Sequence, residues 1–435
     1  MFSPLVRRLL VVAGILLGSV VADSIFNCLN VHAFTGPGEW LYPKTVPTLA
    51  PPGADLRLLM HGARLMADGT NPFHSPVPYP PPPFAAAIFY PFTLLSDHTA
   101  FLVQYWLLIA LNMASIVLLA YCLLRSSYES VGSSALEIPI LAVGTLLTMV
   151  CLSGQFHGYG LEFALERGNF DSYVLFASVA ALACMIVWPG RVFMPIALLC
   201  FATHLKIYPA ILLCLPLLQA WKRSIVPLVA INLSMLFTFG IREAEHFFWQ
   251  IGRYMAQPYI WPGNHSIAAY VDQVVVPALT SPSRDPEAIR VWAVRFLTIL
   301  VIGVWVHGMI RLRSVVPKAK RWLLMAALSF PVMGTLSSTS HDYKLVIYVV
   351  PVMVSAYYFA EDYLVTGSRW SMAAMLLPLA CGIAIGHSTI LPSWPLLMTK
   401  FPIVAFLELI VYGQTYLCRE AVSLEPQIDR SEVPA

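Results

Sequence analysis

Residues 99–124 read TAFLVQYWLLIALNMASIVLLAYCLL, a run that contains no charged side chain. A bilayer core about 30 Å thick takes roughly 20 helical residues to cross, so a run of this length predicts a transmembrane helix. Similar runs recur from one end of the chain to the other. Of all residues 58% are hydrophobic and 11% are charged, whereas about 25% are charged in an average soluble domain. We therefore expect an all-α integral membrane protein.

The apolar runs predict a polytopic bundle of about twelve transmembrane helices in a single multi-pass domain, residues 1–435. Several runs are too short to cross a bilayer upright, notably around His204 and Lys206, so we expect broken or tilted helices there. A cleaved signal peptide is the alternative for the first run, but the many later spans favour an uncleaved helix. The predicted spans are 7–22, 99–124, 137–153, 172–188, 192–204, 205–220, 224–240, 291–310, 322–338, 345–360, 370–391 and 400–417.

The distribution of Lys and Arg predicts the orientation of these spans, since cytoplasmic loops are enriched in both. The short loops with Arg125, Arg191, Arg223, Arg369 and the basic cluster 311–321 then lie on one side. We place the chain in the plasma (inner) membrane with both termini in the cytoplasm, including a tail at 419–435. The opposite, outer or periplasmic face then carries the loops 23–98, 154–171 and 241–290 and a turn at 337–344.

The first outer loop contains a proline tract at residues 80–83, followed by the apolar stretch 84–95. This stretch is too short to span a bilayer, and helices start readily after proline, so it predicts a helix lying along the membrane interface. A stiff polyproline spacer is the alternative for the prolines themselves.

Charge and motifs exclude several classes of protein. The formal net charge is +3 and the basic residues form no stripe, so we expect no nucleic-acid partner. The cysteines form no CxxC pair, and the chain has no HExxH motif, no P-loop and no GxSxG motif. We expect no tightly bound metal and no cofactor.

Ionisable groups near membrane depth are costly, which makes them candidates for function. Asp55 follows the first predicted span, and a carboxylate at the membrane surface suits the removal of a proton from a hydroxyl. A solvated loop residue is the alternative. Gln155 and the segment Glu166–Asp171 combine amide, guanidinium and carboxylate groups that suit sugar hydroxyls or phosphate oxygens. Capping of the next helix by Asn169 or Asp171 is the alternative there.

Two further basic positions lie in or beside apolar sequence. Lys206 must either reach the membrane surface or meet an anion, and we favour an anion. His341 and Lys344 together suit a phosphate, with Asp342 orienting the histidine or pairing with Lys344; a helix N-cap with an ion pair is the alternative. The segment Trp261–Ser266 is a weak signal when taken alone.

In this order the polar segments resemble the glycosyltransferase C superfamily and, within it, family 87, whose members resemble polyprenyl-phosphate-sugar-dependent mannosyl- and arabinofuranosyltransferases. The resemblance rests on Asp55, Asp68–Phe73, Tyr79 with its prolines, Gly154–Gln155, Lys206–Pro209, Asn264–Ser266 and His341–Lys344. It implies that Asp55 is the catalytic base and that Lys206, His341 and Lys344 lie near the donor phosphate.

The resulting hypothesis is an inverting transfer of a mannose- or arabinofuranose-like sugar from a polyprenyl-phosphate donor to a glycolipid or glycan acceptor. Inversion is expected because no second carboxylate is identifiable as a nucleophile. Arg167 joins the residues expected at the donor phosphate. The expected substrate-binding residues are Tyr79, Gln155, Asn169, Asp171, His204, Tyr208, Asn264 and His265.

A polytopic transporter or lipid flippase is the competing class, because it too has about twelve helices and buried charge. The large outer loops and the lack of similarity between the two halves disfavour it. A non-catalytic scaffold leaves the cost of Lys206 and of the His341 segment unexplained.

Overall fold

A computed structural model describes residues 53–74, 81–131, 159–256, 263–280, 285–315, 318–337, 340–386 and 399–417, together with Gly14. The described residues contain no β-strand, and an isolated antiparallel bridge joins Asn264 to His341. The predicted spans 7–22 and 137–153 and the predicted tail 419–435 lie outside these residues, apart from Gly14.

The described part of the chain contains fifteen α-helices. They are α1 Ala54–Ala67, α2 Pro83–Phe89, α3 Asp97–Val131, α4 Tyr159–Arg167, α5 Asp171–Val187, α6 Phe193–Leu205, α7 Cys214–Leu236, α8 Ile241–Ala256, α9 Ile267–Tyr270, α10 Val276–Leu279, α11 Pro286–Leu312, α12 Lys318–Thr335, α13 Val349–Thr366, α14 Arg369–Gly386 and α15 Phe401–Leu417. Four 3₁₀ segments, Pro72–His74, Tyr90–Leu94, Tyr208–Leu213 and Asp342–Tyr348, and the π-helical turn Val271–Val275 complete the path.

Five helical segments are long and apolar enough to cross a bilayer: Asp97–Ser126, Tyr208–Leu236, Pro286–Leu312, Asp342–Tyr363 and Arg369–Gly386. Shorter apolar helices include α5, α6 and α15. The chain is therefore an all-α membrane protein, and the predicted total of about twelve spans stays a prediction.

The segment Asp342–Tyr363 lies at the centre of the bundle. Its side chains are almost all buried, whereas few of those of α11 are buried and about half are exposed. Helix α13, which forms most of this segment, packs against α12, α14 and α15, while α5 packs against α3 and α6. At the N-terminal end of this segment Ser340, Asp342 and Lys344 are buried as well.

Three regions that the sequence analysis treats as loops contain helices, namely α1, α4 and α8. In α1 the buried residues Leu56, Leu59, Met60 and Ala63 recur at helical spacing, so one face packs against protein while the other stays polar. Such a helix has too many charged residues to be recognised as a span.

The chain breaks near Lys206, as predicted. Helix α6 ends at Leu205, and Lys206 is extended with φ −146° and ψ 139°. The 3₁₀ turn then begins at Tyr208, with Pro209 in its first turn, where the missing N–H of proline costs no helical hydrogen bond. The predicted spans 205–220 and 224–240 are in fact this turn followed by α7, which is broken at Ala220.

Candidate active site

The start of α1 packs against the end of α4 and the connection from α4 to α5. The backbone N–H of Gly53 donates to the carbonyl of Glu166 at 2.7 Å, which joins α1 to the end of α4. Gly168 has φ +66°, and a Cβ added there would lie 2.9 Å from the Cβ of Leu56. A residue without a side chain is therefore required for α1 to approach the connection between α4 and α5.

Asp55, in the first turn of α1, is held by two residues of that connection. Its Oδ1 accepts hydrogen bonds from Nε and Nη2 of Arg167 at 2.9 and 2.5 Å, and its Oδ2 accepts one from Nδ2 of Asn169 at 2.7 Å. A carboxylate has about four acceptor positions, so three hydrogen bonds leave roughly one for a further donor.

Asn169 connects Asp55 to Lys206. Its Oδ1 accepts from Nζ of Lys206 at 2.8 Å and from the backbone N–H of Asp171 at 3.3 Å. Lys206 also forms an ion pair with Oδ2 of Asp171 at 2.5 Å, and the Tyr208 hydroxyl donates to the other carboxylate oxygen of Asp171. Within the protein, then, the anion expected for Lys206 is Asp171. Asn169 also accepts from the first turn of α5, so the helix-capping alternative holds alongside this connection.

We call Arg167, Asp55, Asn169, Lys206 and Asp171 the polar arc, because hydrogen bonds link them in that order. The Asp171 side chain is 0% exposed, whereas Asp55 is 15%, Lys206 13% and Arg167 27% exposed. The accessible part of the arc therefore consists of one carboxylate and two cations.

Tyr343 and its neighbours place the Ser340–Lys344 segment beside the arc. Lys206 Nζ lies 4.5 Å from the ring centroids of both Phe170 and Tyr343. The Tyr343 ring is stacked on Phe163 at 6.1 Å, and Phe163 in turn lies 5.4 Å from the Arg167 guanidinium. These rings give both cations favourable aromatic contacts. The sequence analysis missed Phe163 and Phe170; the spacing of four between Phe163 and Arg167 on one helix was an available signal.

Lys344 approaches the arc from the other side of Tyr208. Its Nζ lies 4.7 Å from the Tyr208 ring centroid and donates to Oγ of Ser337 at 2.8 Å. These two contacts hold Lys344 beside Tyr208.

A second buried network holds the Ser340–Lys344 segment in place. Oδ1 of Asn264 accepts from the backbone N–H of Ser340 at 2.8 Å, and the backbone N–H of His265 donates to the Ser340 carbonyl at 2.7 Å. The His265 ring is fully buried between the Asp342 carboxylate, with Nε2 2.6 Å from Oδ1, and the carbonyl of Thr399. We call these five residues the histidine clasp.

The clasp gives Asp342 a partner that the sequence analysis does not name. Asp342 is predicted to orient His341 or to pair with Lys344, and in the structure its carboxylate contacts His265, from a distant part of the chain. Asn264 and His265 were expected to bind substrate. Both side chains are fully buried, and an antiparallel bridge joins Asn264 to His341; their binding of substrate stays a prediction.

Charge at the site depends on burial as well as on residue type. Burial, reinforced by the positive charges of Lys344 and Lys206, lowers the pKa of His341 to about 3. His341 is therefore neutral near pH 7, and an anion that bound beside it would raise its pKa. Burial alone would lower the pKa of Arg167, but the hydrogen bond and charge of Asp55 outweigh burial and raise it, so the guanidinium stays charged.

Comparison with protein families decides the class of enzyme. The profile of glycosyltransferase family 87 matches residues 79–339, more than half of the 435 residues. The chain belongs to glycosyltransferase family 87. A search of curated proteins gave no match. As a glycosyltransferase, it uses a sugar donor and an acceptor, and the resemblance found in the sequence is confirmed at the level of the family.

The matched range of this family 87 glycosyltransferase includes Arg167, Asn169 and Lys206, whereas Asp55 and His341 lie outside it. The connection of those two residues to the site therefore rests on the contacts described above. Hydrogen bonds at the ends of α1, α4, α5 and α6 join Asp55, which lies outside the matched range, to Arg167 and Asn169 inside it. Asn169 in turn accepts from Lys206.

His204, Tyr79 and Gln155 are also predicted to bind substrate in this glycosyltransferase. His204 faces α7, where its Nε2 lies 3.1 Å from Oδ1 of Asn232. Tyr79 and Gln155 lie outside the described residues. In the described part of the chain no three His, Cys, Asp or Glu side chains are grouped so as to hold a metal ion.

Proposed function

We propose that this glycosyltransferase moves a mannose- or arabinofuranose-like sugar from a polyprenyl-phosphate donor to a hydroxyl of a glycolipid or glycan acceptor, with inversion of configuration. The observation that carries the proposal is the composition of the accessible arc, in which Asp55 lies beside the cations Arg167 and Lys206. A proton acceptor next to positive charge suits a displacement with a phosphate leaving group.

A lipid-linked donor is supported by where the charged groups lie along the helices. Asp171 is the first residue of the apolar helix α5, Lys206 directly follows the apolar helix α6, and Asp342 begins the central span. Charged groups at the ends of three apolar helices lie at the level of a membrane surface. A phosphate whose lipid tail runs among the helices reaches that level without leaving the bilayer.

The outer or periplasmic face of the plasma membrane is supported by the basic loops. Helices α5 and α6 are joined at their other ends by the loop with Arg191, and the central segment runs towards Arg369. Because cytoplasmic loops are enriched in Lys and Arg, these ends are placed inside, and the site then faces outward. The termini and the tail 419–435 remain cytoplasmic in this proposal.

In the proposed reaction, Asp55 takes the proton of the acceptor hydroxyl, whose oxygen forms a bond to the anomeric carbon of the sugar. The bond from that carbon to the phosphate oxygen breaks, and the electron pair leaves with the polyprenyl phosphate. Asp55 is assigned the base because it is the more exposed of the two arc carboxylates, whereas Asp171 is fully buried and paired.

Cations around the leaving phosphate stabilise the charge that develops there. Arg167 and Lys206 are the accessible ones, and Lys344 and His341 lie behind them around Tyr343 and Tyr208. His341, neutral in the free protein, gains a proton more readily once the phosphate is next to it. Asn169, Asp171 and Tyr208 hold these groups in position, and no cofactor takes part.

The test is transfer by purified protein in nanodiscs. Radiolabelled polyprenyl-phosphate mannose and polyprenyl-phosphate arabinose are supplied with a mixed pool of glycolipid acceptors. We expect transfer by the wild type and by the control Asp68→Asn, an exposed carboxylate just after the same helix. We expect Asp55→Asn to lose about 10²- to 10⁴-fold in rate, the usual contribution of a positioned base.

Two results would contradict the proposal. The first is full activity of Asp55→Asn that is folded by gel filtration and thermal unfolding. The second is absence of transfer from either donor by the wild type, together with movement of labelled lipid across a sealed membrane, which would restore the transporter interpretation.

A further inference from the structure

Arg167 uses only part of its hydrogen-bonding capacity on Asp55. A guanidinium has five N–H donors in a rigid plane. Nε and one Nη2 donor point to Asp55 Oδ1, which leaves both Nη1 donors and one Nη2 donor, and the described residues offer these three no polar partner. The free donors form the second edge of the guanidinium, and the side chain is 27% exposed.

Lys206, further along the arc, also has an unused hydrogen-bond donor. An ammonium group has three N–H donors. Two of them go to Asn169 and Asp171, so one remains, on a side chain that is 13% exposed. Both cations lie against the aromatic group around Tyr343, Arg167 through Phe163 and Lys206 by direct contact.

The arc is therefore a chain of hydrogen bonds that is open between its two cations. Arg167 is joined directly to Asp55, and Lys206 is joined to it through the side-chain amide of Asn169. A phosphate that accepts from the free edge of Arg167 and from the free donor of Lys206 closes this chain into a ring. Bidentate binding of phosphate by arginine is favourable in both energy and geometry.

We propose that Arg167 binds the base and the donor phosphate at the same time, one on each edge of its guanidinium, and so fixes the distance between them. The inference rests on the proposed function and deepens it, because it assigns to one side chain the alignment of attacking and leaving groups. A displacement needs the acceptor oxygen and the leaving oxygen on opposite sides of the anomeric carbon. A rigid plane that touches both the base and the phosphate sets that separation.

Lysine cannot replace arginine in this role. Its ammonium is a point charge on a flexible stem and lacks the two planar edges, although it keeps the attraction for an anion. Arg167→Lys should therefore retain the phosphate but lose the alignment. Arg167→Gln should lose both.

Binding is measured first, with farnesyl phosphate as the short polyprenyl monophosphate and farnesol as the uncharged comparator, on protein in nanodiscs. Arg167→Gln should weaken farnesyl phosphate binding by about tenfold, the usual worth of a hydrogen bond to a charged group. Arg64→Gln, an exposed arginine on α1, is the matched control and should bind like the wild type.

Coupling between the two edges is then tested with Asp55→Asn. If Arg167 holds both anions, Asp55→Asn removes the charge that orients Arg167 and should weaken farnesyl phosphate binding severalfold. In the Arg167→Gln background, Asp55→Asn should have no further effect on this binding. Tighter binding in Asp55→Asn overturns the inference, because it means that base and phosphate compete for the same edge.

Turnover supplies the final readout. Arg167→Lys should keep KM for the donor within about threefold of wild type while kcat falls about 100-fold, the loss expected from misalignment. Unchanged kcat overturns the inference and leaves the proposed function intact. Coupled binding of farnesyl phosphate without transfer from either donor supports the anion site and overturns the proposed function.

Discussion

Replacing His265 by leucine removes the central member of the histidine clasp. The Thr399 carbonyl can only accept a hydrogen bond, so Nδ1 of His265 carries a hydrogen, and Nε2 is left to face Asp342 at 2.6 Å. His265→Leu leaves the Asp342 carboxylate, whose side chain is 7% exposed, without its partner inside the protein.

The size of the effect follows from that burial. Removing one partner of a buried ion pair costs about 3–5 kcal/mol, because a charge is left uncompensated. Removing both partners costs far less, since well-packed apolar residues replace a buried pair at little net cost. We therefore expect His265→Leu to lower the free energy of unfolding by about 4 kcal/mol, and the double variant with Asp342→Leu to recover at least about half of that loss.

Unfolding in detergent, followed by tryptophan fluorescence during denaturant titration, measures these differences. His61→Leu, at an exposed position on α1, is the matched control and should change stability little. The reasoning is refuted if the loss of unfolding free energy in the double variant equals the sum of the losses in the two single variants. That result means that His265→Leu leaves no unpaired charge.

Two further predictions concern His341 and a glycine. Because burial and the charge of Lys344 lower the pKa of His341 from 6.5 to about 3, the unfolded chain binds more protons than the folded chain between those values, and stability falls as pH falls. His341→Gln should make the free energy of unfolding depend less on pH between about pH 6 and 4 in denaturant titrations. The same pH dependence as in the wild type contradicts this prediction. Gly168→Ala and Gly69→Ala should each cost about 1–2 kcal/mol in thermal unfolding, since both positions have positive φ. Only Gly168→Ala should also reduce transfer, because its Cβ would lie 2.9 Å from Leu56 and displace α1, whereas Gly69 has nothing within 4 Å; equal transfer by the two variants contradicts this.

Apolar helices were predictable because hydropathy is a local property of the chain. The predicted spans 172–188 and 192–204 correspond to Asp171–Val187 and Phe193–Leu205 within a residue. Helix α1 was missed because Arg57, His61 and Arg64 keep its mean hydropathy low, although its apolar residues recur at helical spacing. The helical spacing of its apolar residues is the signal in the long loop that predicts this helix.

The members of the site were predictable one by one, but most of their pairings were not. Asp55, Arg167 and Lys206 were each singled out because charge near a membrane is costly. Which carboxylate met which cation depended on tertiary contacts. Asp342 pairs with His265, 77 positions away in the sequence, and Lys344, only two positions away, was the more obvious partner from local sequence. No local pattern contains that information.

The clasp also determines when, during synthesis, the site becomes complete. Chains are made and inserted from the N-terminus, so the polar arc has all of its residues once Lys206 has emerged. His265 must wait for Thr399, 134 positions later, before its ring has both partners. A growing chain therefore carries a paired base long before the segment of His341 is held in place. The last described helix to be made, α15, directly follows Thr399, and its insertion closes the clasp, so completion of the site is tied to completion of the bundle.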